Sequence, residues 1–177
     1  MKDTSIGMPM ISEGLVQVFT FKTGVLSRVA HDLRFTLGRF EIQVEGEQVR
    51  ARFWPDSLRV DGAMHKDTLD PSDLGDSDKA EIQLTLRTKI LRTLSHSEVR
   101  LEAAATPNAL GYELDGTLEI VGRKQPIRFP VASEEGRLRG EVELQPLRWG
   151  IAPYKALLGA IKLQDRVLVR FDIPAPQ

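Results

Sequence analysis

The 177-residue sequence has no cysteine, only three histidines and no long apolar run. Without cysteine the chain can form no disulfide, no thiolate nucleophile and no zinc–sulfur site. Lys and Arg number 24 against 25 Asp and Glu, and no strong basic cluster is present, which argues against nucleic-acid binding. No segment approaches the roughly 18 consecutive apolar residues of a membrane span. The length of 177 residues is close to that of one domain, and a chain of this length can bury a full apolar core without disulfides.

The N-terminal segment, MKDTSIGMPMISEG, lacks the features of a secretory leader. Lys2 is followed at once by Asp3, and no apolar run of about seven residues comes after them. We therefore expect a cytoplasmic protein, with a periplasmic location as the alternative if a leader has been removed. Residues 1–13 have no clear period and are predicted to form an arm, with a single domain over residues 14–175.

Alternation of apolar and polar residues is the dominant pattern, and it is typical of strands with one buried face. In the clearest case, Val167, Val169 and Phe171 fall on one face while Arg166 and Arg170 fall on the other. Comparable segments occur at 15–21, 33–37, 40–44, 49–54, 99–105, 112–120 and 138–144. Turn residues separate consecutive segments, so we predict an all-β fold of about eight antiparallel strands, arranged as a closed barrel or a sandwich.

One segment has a different period. Ile82, Leu86 and Ile90 recur at a spacing of four, and Asp78 with Glu81 resembles a helix N-terminus. This pattern predicts one short helix over Asp78–Thr93. A strand through residues 82–86 is the alternative.

The dipeptide His31-Asp32 is the only pair that suggests chemistry, because a histidine beside a carboxylate can act as a general base or bind a metal. On a strand, however, sequence neighbours point to opposite faces, so the two side chains cannot easily bond each other. We therefore interpret His31 as a structural residue near the barrel mouth and predict neither a catalytic residue nor a resident cofactor. His65 and His96 add no metal-ligand spacing, and a zinc or haem site would require the fold to bring two histidines together.

The loop HKDTLDPSD places Asp67, Asp70 and Asp73 at a spacing similar to that of a calcium loop. The glycine and the closing glutamate of such a loop are missing. The loop is therefore interpreted as solvated, and no metal site is predicted.

Five segments in order along the chain resemble the YceI-like family, which is known for polyisoprenoid binding. They are FTFKTGVLSRVAHDLRFTLGRFE (19–41), VRARFWPDSLRV (49–60), the helix with 93–101, GTLEIVGRKQPIRFPV (116–131) and LRWGI (147–151). The chain departs from the family at Glu119 and Gln125, and it lacks a proline near His96. The resemblance covers about residues 14–174.

This resemblance implies a lipocalin-like barrel with a helix and an apolar lumen that takes a lipid tail. We accordingly expect a bacterial lipid-binding or transport protein, not an enzyme, whose ligand is a polyisoprenoid, a quinone or a fatty-acyl tail. The expected ligand-binding residues are Phe19, Phe21, Leu26, Val29, Phe35, Phe40, Phe53, Ile90, Trp149 and Phe171.

Two alternatives stay open at this point. One is an enzyme that acts on such a lipid with His31 as its base. The other is a structural or interaction domain whose barrel is filled by its own side chains, since a barrel of about eight strands permits either arrangement. A homodimer is also possible.

Overall fold

A computed structural model describes residues 8–23, 31–156 and 161–177 of the chain. These residues form thirteen β-strands, whose neighbours pair in antiparallel fashion, and one α-helix, α1. The strands are β1 (Met10–Ile11), β2 (Leu15–Lys22), β3 (Asp32–Leu37), β4 (Phe40–Glu45), β5 (Gln48–Phe53), β6 (Leu58–His65), β7 (Thr68–Asp70), β8 (Val99–Pro107), β9 (Gly111–Ile120), β10 (Arg123–Glu134), β11 (Arg137–Leu144), β12 (Lys155–Ala156) and β13 (Ile161–Pro174). The helix spans Asp76–Thr85 and continues as a π-helical turn over Leu86–Ile90, while Pro55–Ser57 and Pro146–Trp149 form 3-10 turns.

Three pairs of these strands are halves of longer, bent strands. Ile11 lies opposite Ile42, and Gln17 lies opposite Thr36, so β1 and β2 pair with β3 and β4 in one unbroken register. On the other side of the same bent strand, β5 pairs with β4 and β6 pairs with β3, with a shift in register at the bend. The predicted count of about eight strands is lower than the thirteen of the described chain. When each bent strand is counted once, and the short edge segments β7 and β12 are set aside, eight long strands remain.

These eight strands close into a barrel. The order β5-β8-β9-β10-β11-β13-β2-β3-β6 runs around the molecule, and the β1–β4 pairing joins the other halves of the bent strands. Every long strand therefore has a hydrogen-bonded neighbour on both sides, which removes the exposed sheet edges of a sandwich.

The bends of two neighbouring long strands are linked by hydrogen bonds. The Gly38 N–H donates to the carbonyl oxygen of Ser57 at 3.1 Å, and the Arg39 N–H donates to Ser57 Oγ at 2.9 Å. The Trp54 N–H in turn donates to the Arg39 carbonyl at 3.1 Å. Amides that the bends free from the sheet ladder thus find new partners.

The helix packs against β6 at one end of the barrel. The Gly75 N–H donates to Asp78 Oδ2 at 3.2 Å, which satisfies an amide at the helix start. The Val60 N–H of β6 donates to Gln83 Oε1 at 3.1 Å, and Ile82 and Leu86 pack against the core. The predicted helix is confirmed, with an earlier start. No helix in the described part of the chain is both long and apolar enough to cross a membrane.

The expected arm, residues 1–13, is described only from Met8 onward. Met10 and Ile11 belong to the sheet, and Ile11 is buried in the core. The division of the chain at residue 14 stays a prediction.

Candidate functional site: an apolar barrel lumen

A cavity of about 440 Å³ occupies the barrel interior. Side chains from the inner faces of eight strands line it, because alternate residues along each strand point inward. The wall includes Val16 and Val18 of β2, Leu101 of β8, and Val169 and Phe171 of β13. Almost all of it is aliphatic or aromatic, so the lumen offers an environment for a hydrocarbon and not for an ion.

At one end of the lumen, on the side where α1 packs, the described lining residues are buried or half-buried, and we call this the closed end. Leu91, just after the π-helical turn, lines the cavity there together with Pro55 and Ile120. Trp149 packs in the same core cluster and is fully buried. Its indole Nε1–H donates to the Leu118 carbonyl at 2.9 Å, so the buried polar group is satisfied.

The other end is the mouth. The exposed residues that line the cavity lie in or beside the β4–β5, β8–β9 and β10–β11 turns and at the C-terminus: Gly46, Glu47, Pro107, Ser133 and Pro176. Glu47 is the only charged residue among the described residues that line the lumen, and Tyr112 and Ser133 supply its hydroxyl groups. The polar groups of the site are therefore confined to the rim.

Small residues on the inner wall leave the space that forms the cavity. Ala51 and Ala105 line it, and Ala103 and Gly116 face each other across β8 and β9. On the opposite side, Gly140 makes room for the ring of Phe171, which meets Phe129 edge-to-face at a centroid distance of 6.3 Å. Large side chains at these positions would fill the barrel, as in the filled alternative.

The structure brings several of the predicted ligand-binding residues to the barrel interior. Phe53 and Phe171 line the cavity. Phe35 and Phe40 face inward but are packed in the buried core behind the cavity surface, and Trp149 lies at its closed end. All five residues lie in the apolar interior of the barrel. Their role in ligand binding stays a prediction.

Other predicted residues do not reach the lumen. Phe19 and Phe21 were expected to point inward, but Val16 and Val18 hold the inner face of β2, so both rings lie on the outer face. The guanidinium carbon of Arg170 lies 5.0 Å from the Phe19 ring centroid, and that of Arg166 lies 4.3 Å from the Phe21 centroid. Ile90 is not among the lining residues, and Leu26 and Val29 lie outside the described residues.

Most of the aliphatic residues that line the lumen were not singled out from the sequence, and neither were Leu91, Glu47 and Ser133 at its two ends. Leu91 takes the place expected for Ile90, because the π-helical turn shifts the helical stripe before it reaches the barrel. Glu47 lies in the turn between β4 and β5, and Ser133 lies near the end of β10, so their position at one mouth follows only from strand register. The turn at Gly46 was the sequence signal that could have placed Glu47 at an end of the barrel.

The histidines lie on the opposite side of the molecule from the mouth. Asp73 Oδ2 lies 2.8 Å from His65 Nε2 and 3.5 Å from His31 Nδ1, so one carboxylate ties the segment before β3 to the end of β6. His31 therefore does not lie near the mouth as expected, nor does it line the lumen. Within the described residues, no group of three or more His, Cys, Asp or Glu side chains is placed to hold a metal ion.

The acidic loop is organised by hydrogen bonds within the protein. Asp70 accepts bonds from the side chain and the backbone N–H of Ser72, and these bonds lower the pKa of the Asp70 carboxyl. This arrangement agrees with a solvated, self-bonded loop.

The model of the YceI-like domain family matches residues 16–175 of this chain. The search of curated proteins found no match to this chain. Solved structures that share its fold include BcnA of Burkholderia cenocepacia, with a TM-score of 0.63, 14% identity, and coverage of 92% of this chain and 96% of the other.

Two further structures are similar. A polyisoprenoid-binding domain from Saccharophagus degradans, implicated in plant cell wall breakdown, has a TM-score of 0.60 and 10% identity, with coverage of 96% of this chain and 99% of that domain. A YceI protein of Campylobacter jejuni has a TM-score of 0.56 and 8% identity, with 81% and 84% covered. At these identities the likeness establishes the fold alone.

Proposed function

The chain belongs to the YceI-like domain family, and from this premise we propose that it binds the apolar tail of an amphiphilic small molecule in its lumen, without catalysis. The observation that carries the proposal is the apolar cavity of about 440 Å³, whose polar lining groups lie at one mouth. Ligand pockets typically have volumes of roughly 300–1,000 Å³. The polyisoprenoid-binding neighbour makes a prenyl tail, as in a quinone, the first candidate, and a fatty-acyl tail the second.

Burial of hydrocarbon supplies the affinity. Each methylene that moves from water into the lumen stabilises the complex by about 0.8 kcal/mol. Because these contacts are non-directional, the lumen distinguishes tails mainly by length and bulk, and only weakly by single methylenes.

The filled-barrel alternative requires a lumen packed at the density of a protein core. A cavity lined by Leu, Val, Ile and Phe is instead a dry apolar space of the kind that accepts hydrocarbons. The enzyme alternative requires a base at the reacting group, and His31 is not among the residues that line the lumen.

Native mass spectrometry of the purified protein, followed by solvent extraction, tests the proposal. We expect a stoichiometric apolar molecule, or binding of a fluorescent prenyl or fatty-acyl probe at micromolar concentration after extraction. A folded protein that carries nothing and binds neither probe would contradict the proposal.

A matched pair of variants locates the binding. Ala105 lines the lumen, whereas Ala104 lies on the outer face of the same strand, β8. Ala105→Phe fills part of the cavity and should weaken probe binding at least roughly tenfold, with little change for Ala104→Phe. Equal effects of the two substitutions would place the binding site outside the lumen.

Two sequence-based expectations belong to the same proposal. A homodimer is tested by the mass measured in solution, and a cytoplasmic location by fractionation of cells that express the native gene.

A further inference from the structure

The mouth of the lumen carries a negative charge at a fixed place. Glu47 lies in the turn between β4 and β5, and its carbonyl oxygen accepts a hydrogen bond from the Ala105 N–H at 2.7 Å. This bond joins the turn to β8 at Ala105, which itself lines the lumen. The backbone of Glu47 is therefore held at the rim, and the residue is one of those that line the lumen.

The neighbouring turns add charges of the same sign. Glu45 is the last residue of β4, next to the turn that holds Glu47. Glu134 and Glu135 lie at the turn between β10 and β11, close to the rim residue Ser133. Within the described residues, no Lys or Arg lines the lumen.

Two of the arginines near this rim are engaged in ion pairs, and a third, Arg50, lies on the exposed outer face of β5, opposite Glu102 of β8. Arg137 and Arg139 both donate to the carboxylate of Asp172, Arg139 at 3.0 Å. Their charge is thus directed to the outer wall of β11 and β13.

We propose that this mouth selects amphiphiles whose headgroup is uncharged or cationic and rejects those with a phosphate or carboxylate headgroup. The inference rests on the proposed function, because the tail must first occupy the lumen. A tail in the lumen brings its headgroup to the rim, where Glu47 attracts a cation and repels an anion. The hydroxyl groups of Tyr112 and Ser133 give an uncharged headgroup hydrogen-bonding partners at the same level.

Three probes with the same ten-carbon tail separate tail binding from headgroup selection: decylamine, decanol and decyl phosphate, each titrated below its micellar concentration by calorimetry at low salt. We expect decylamine to bind most tightly and decyl phosphate at least roughly tenfold more weakly than decanol. The preference should shrink as salt is added, since screening weakens charge interactions at an exposed rim.

Charge-reversal variants locate the effect. Glu47→Lys should reverse the order of decylamine and decyl phosphate. The control is Glu102→Lys, which makes the same change of net charge on the exposed outer face of β8 and should leave the order unchanged. Circular dichroism confirms that both variants are folded.

The outcomes are distinct. If decyl phosphate binds the unmodified protein as tightly as decylamine, or if Glu47→Lys shifts the order no more than Glu102→Lys does, the headgroup inference is wrong while tail binding stands. If none of the three probes binds, the proposed function itself is overturned, and the headgroup inference with it.

Discussion

Gly140 and Phe171 are opposite residues on β11 and β13, and a methyl group on Gly140 would lie 2.5 Å from the Cζ atom of the Phe171 ring. Both positions face the barrel interior. The ring therefore occupies the space that the Cβ of any other residue at position 140 would need. The glycine thus determines the position of the Phe171 ring in the lumen wall.

Gly140→Ala is expected to destabilise the protein by about 1–3 kcal/mol, the usual cost of overpacking a core. The added methyl group forces the Phe171 ring toward Phe129 and into the lumen, so tail binding should weaken as well. Urea denaturation and probe titration measure the two effects. Phe171→Leu in the same chain should restore part of the lost stability, and failure of this rescue would show that the strain lies in the backbone.

Phe171→Ala and Phe19→Ala compare an aromatic ring inside the barrel with one outside it. Removal of the Phe171 ring should cost about 3–5 kcal/mol and enlarge the lumen, so that bulkier tails bind better. Phe19→Ala removes a ring that lies under Arg170 on the outer face and should leave tail selectivity unchanged. A series of probes with branched and unbranched tails measures the selectivity. An equal change in both variants would contradict the assigned faces of β2 and β13.

Trp149→Phe is expected to lower the free energy of unfolding by about 1–3 kcal/mol, because the Leu118 carbonyl loses a buried hydrogen-bond partner. Trp54→Phe is the matched control, since the Trp54 indole lies under the Arg39 guanidinium at 4.0 Å and has no comparable role at the closed end. Denaturant melts of both variants give the comparison. A larger loss for Trp54→Phe would mean that the closed end contributes little to stability.

Asp172 should contribute to the dependence of stability on pH. Hydrogen bonds from Arg137 and then Arg139 lower the pKa of the Asp172 carboxyl in the folded protein. A depressed pKa means that the contribution is present above the ordinary aspartate range, near pH 4, and is lost as pH falls through the folded value. The difference in unfolding free energy between the unmodified protein and Asp172→Asn should therefore narrow as pH falls from about 6 to about 3. Urea melts at each pH measure it, and a constant difference would exclude this linkage.

His31→Ala should leave probe binding within a few-fold of the unmodified protein, since His31 contacts Asp73 and does not line the lumen. Calorimetric titration with a prenyl or fatty-acyl probe is the measurement. Loss of binding, or loss of a metal or haem that copurifies with the unmodified protein, would restore a functional role for His31.

The alternation of residues predicted most of the barrel but missed β10 and β6, the second half of a bent strand. In β10, Ile127, Phe129 and Val131 alternate correctly, but Pro126 and Pro130 on the exposed face mask the strand. In β6 the alternation of Leu58 and Val60 breaks off at Gly62, where a residue with a Cβ would contact the backbone of Asp70. The alternation did not reveal either segment, because the prolines of β10 and the glycine of β6 interrupt it.

The sequence also could not show which face of β2 points into the barrel. Leu15, Phe19 and Phe21 lie on one face, and Val16 and Val18 lie on the other, so both faces read as apolar. The larger rings suggested the interior, yet the outer position is stable because Arg166 and Arg170 of β13 cover them. Only cross-strand pairing resolves such a choice, and the lumen volume, which depends on Ala51, Ala105 and Gly140, is likewise a property of the assembled wall.

A lumen that is closed at Leu91 and open at Glu47 has a kinetic consequence. A bound tail can leave in one direction only, and it must return its methylenes to water in sequence as it withdraws. With about 0.8 kcal/mol for each methylene, the residence time should lengthen by roughly four-fold per buried carbon. Short chains would then exchange freely, whereas long chains would stay until an acceptor at the rim takes them up.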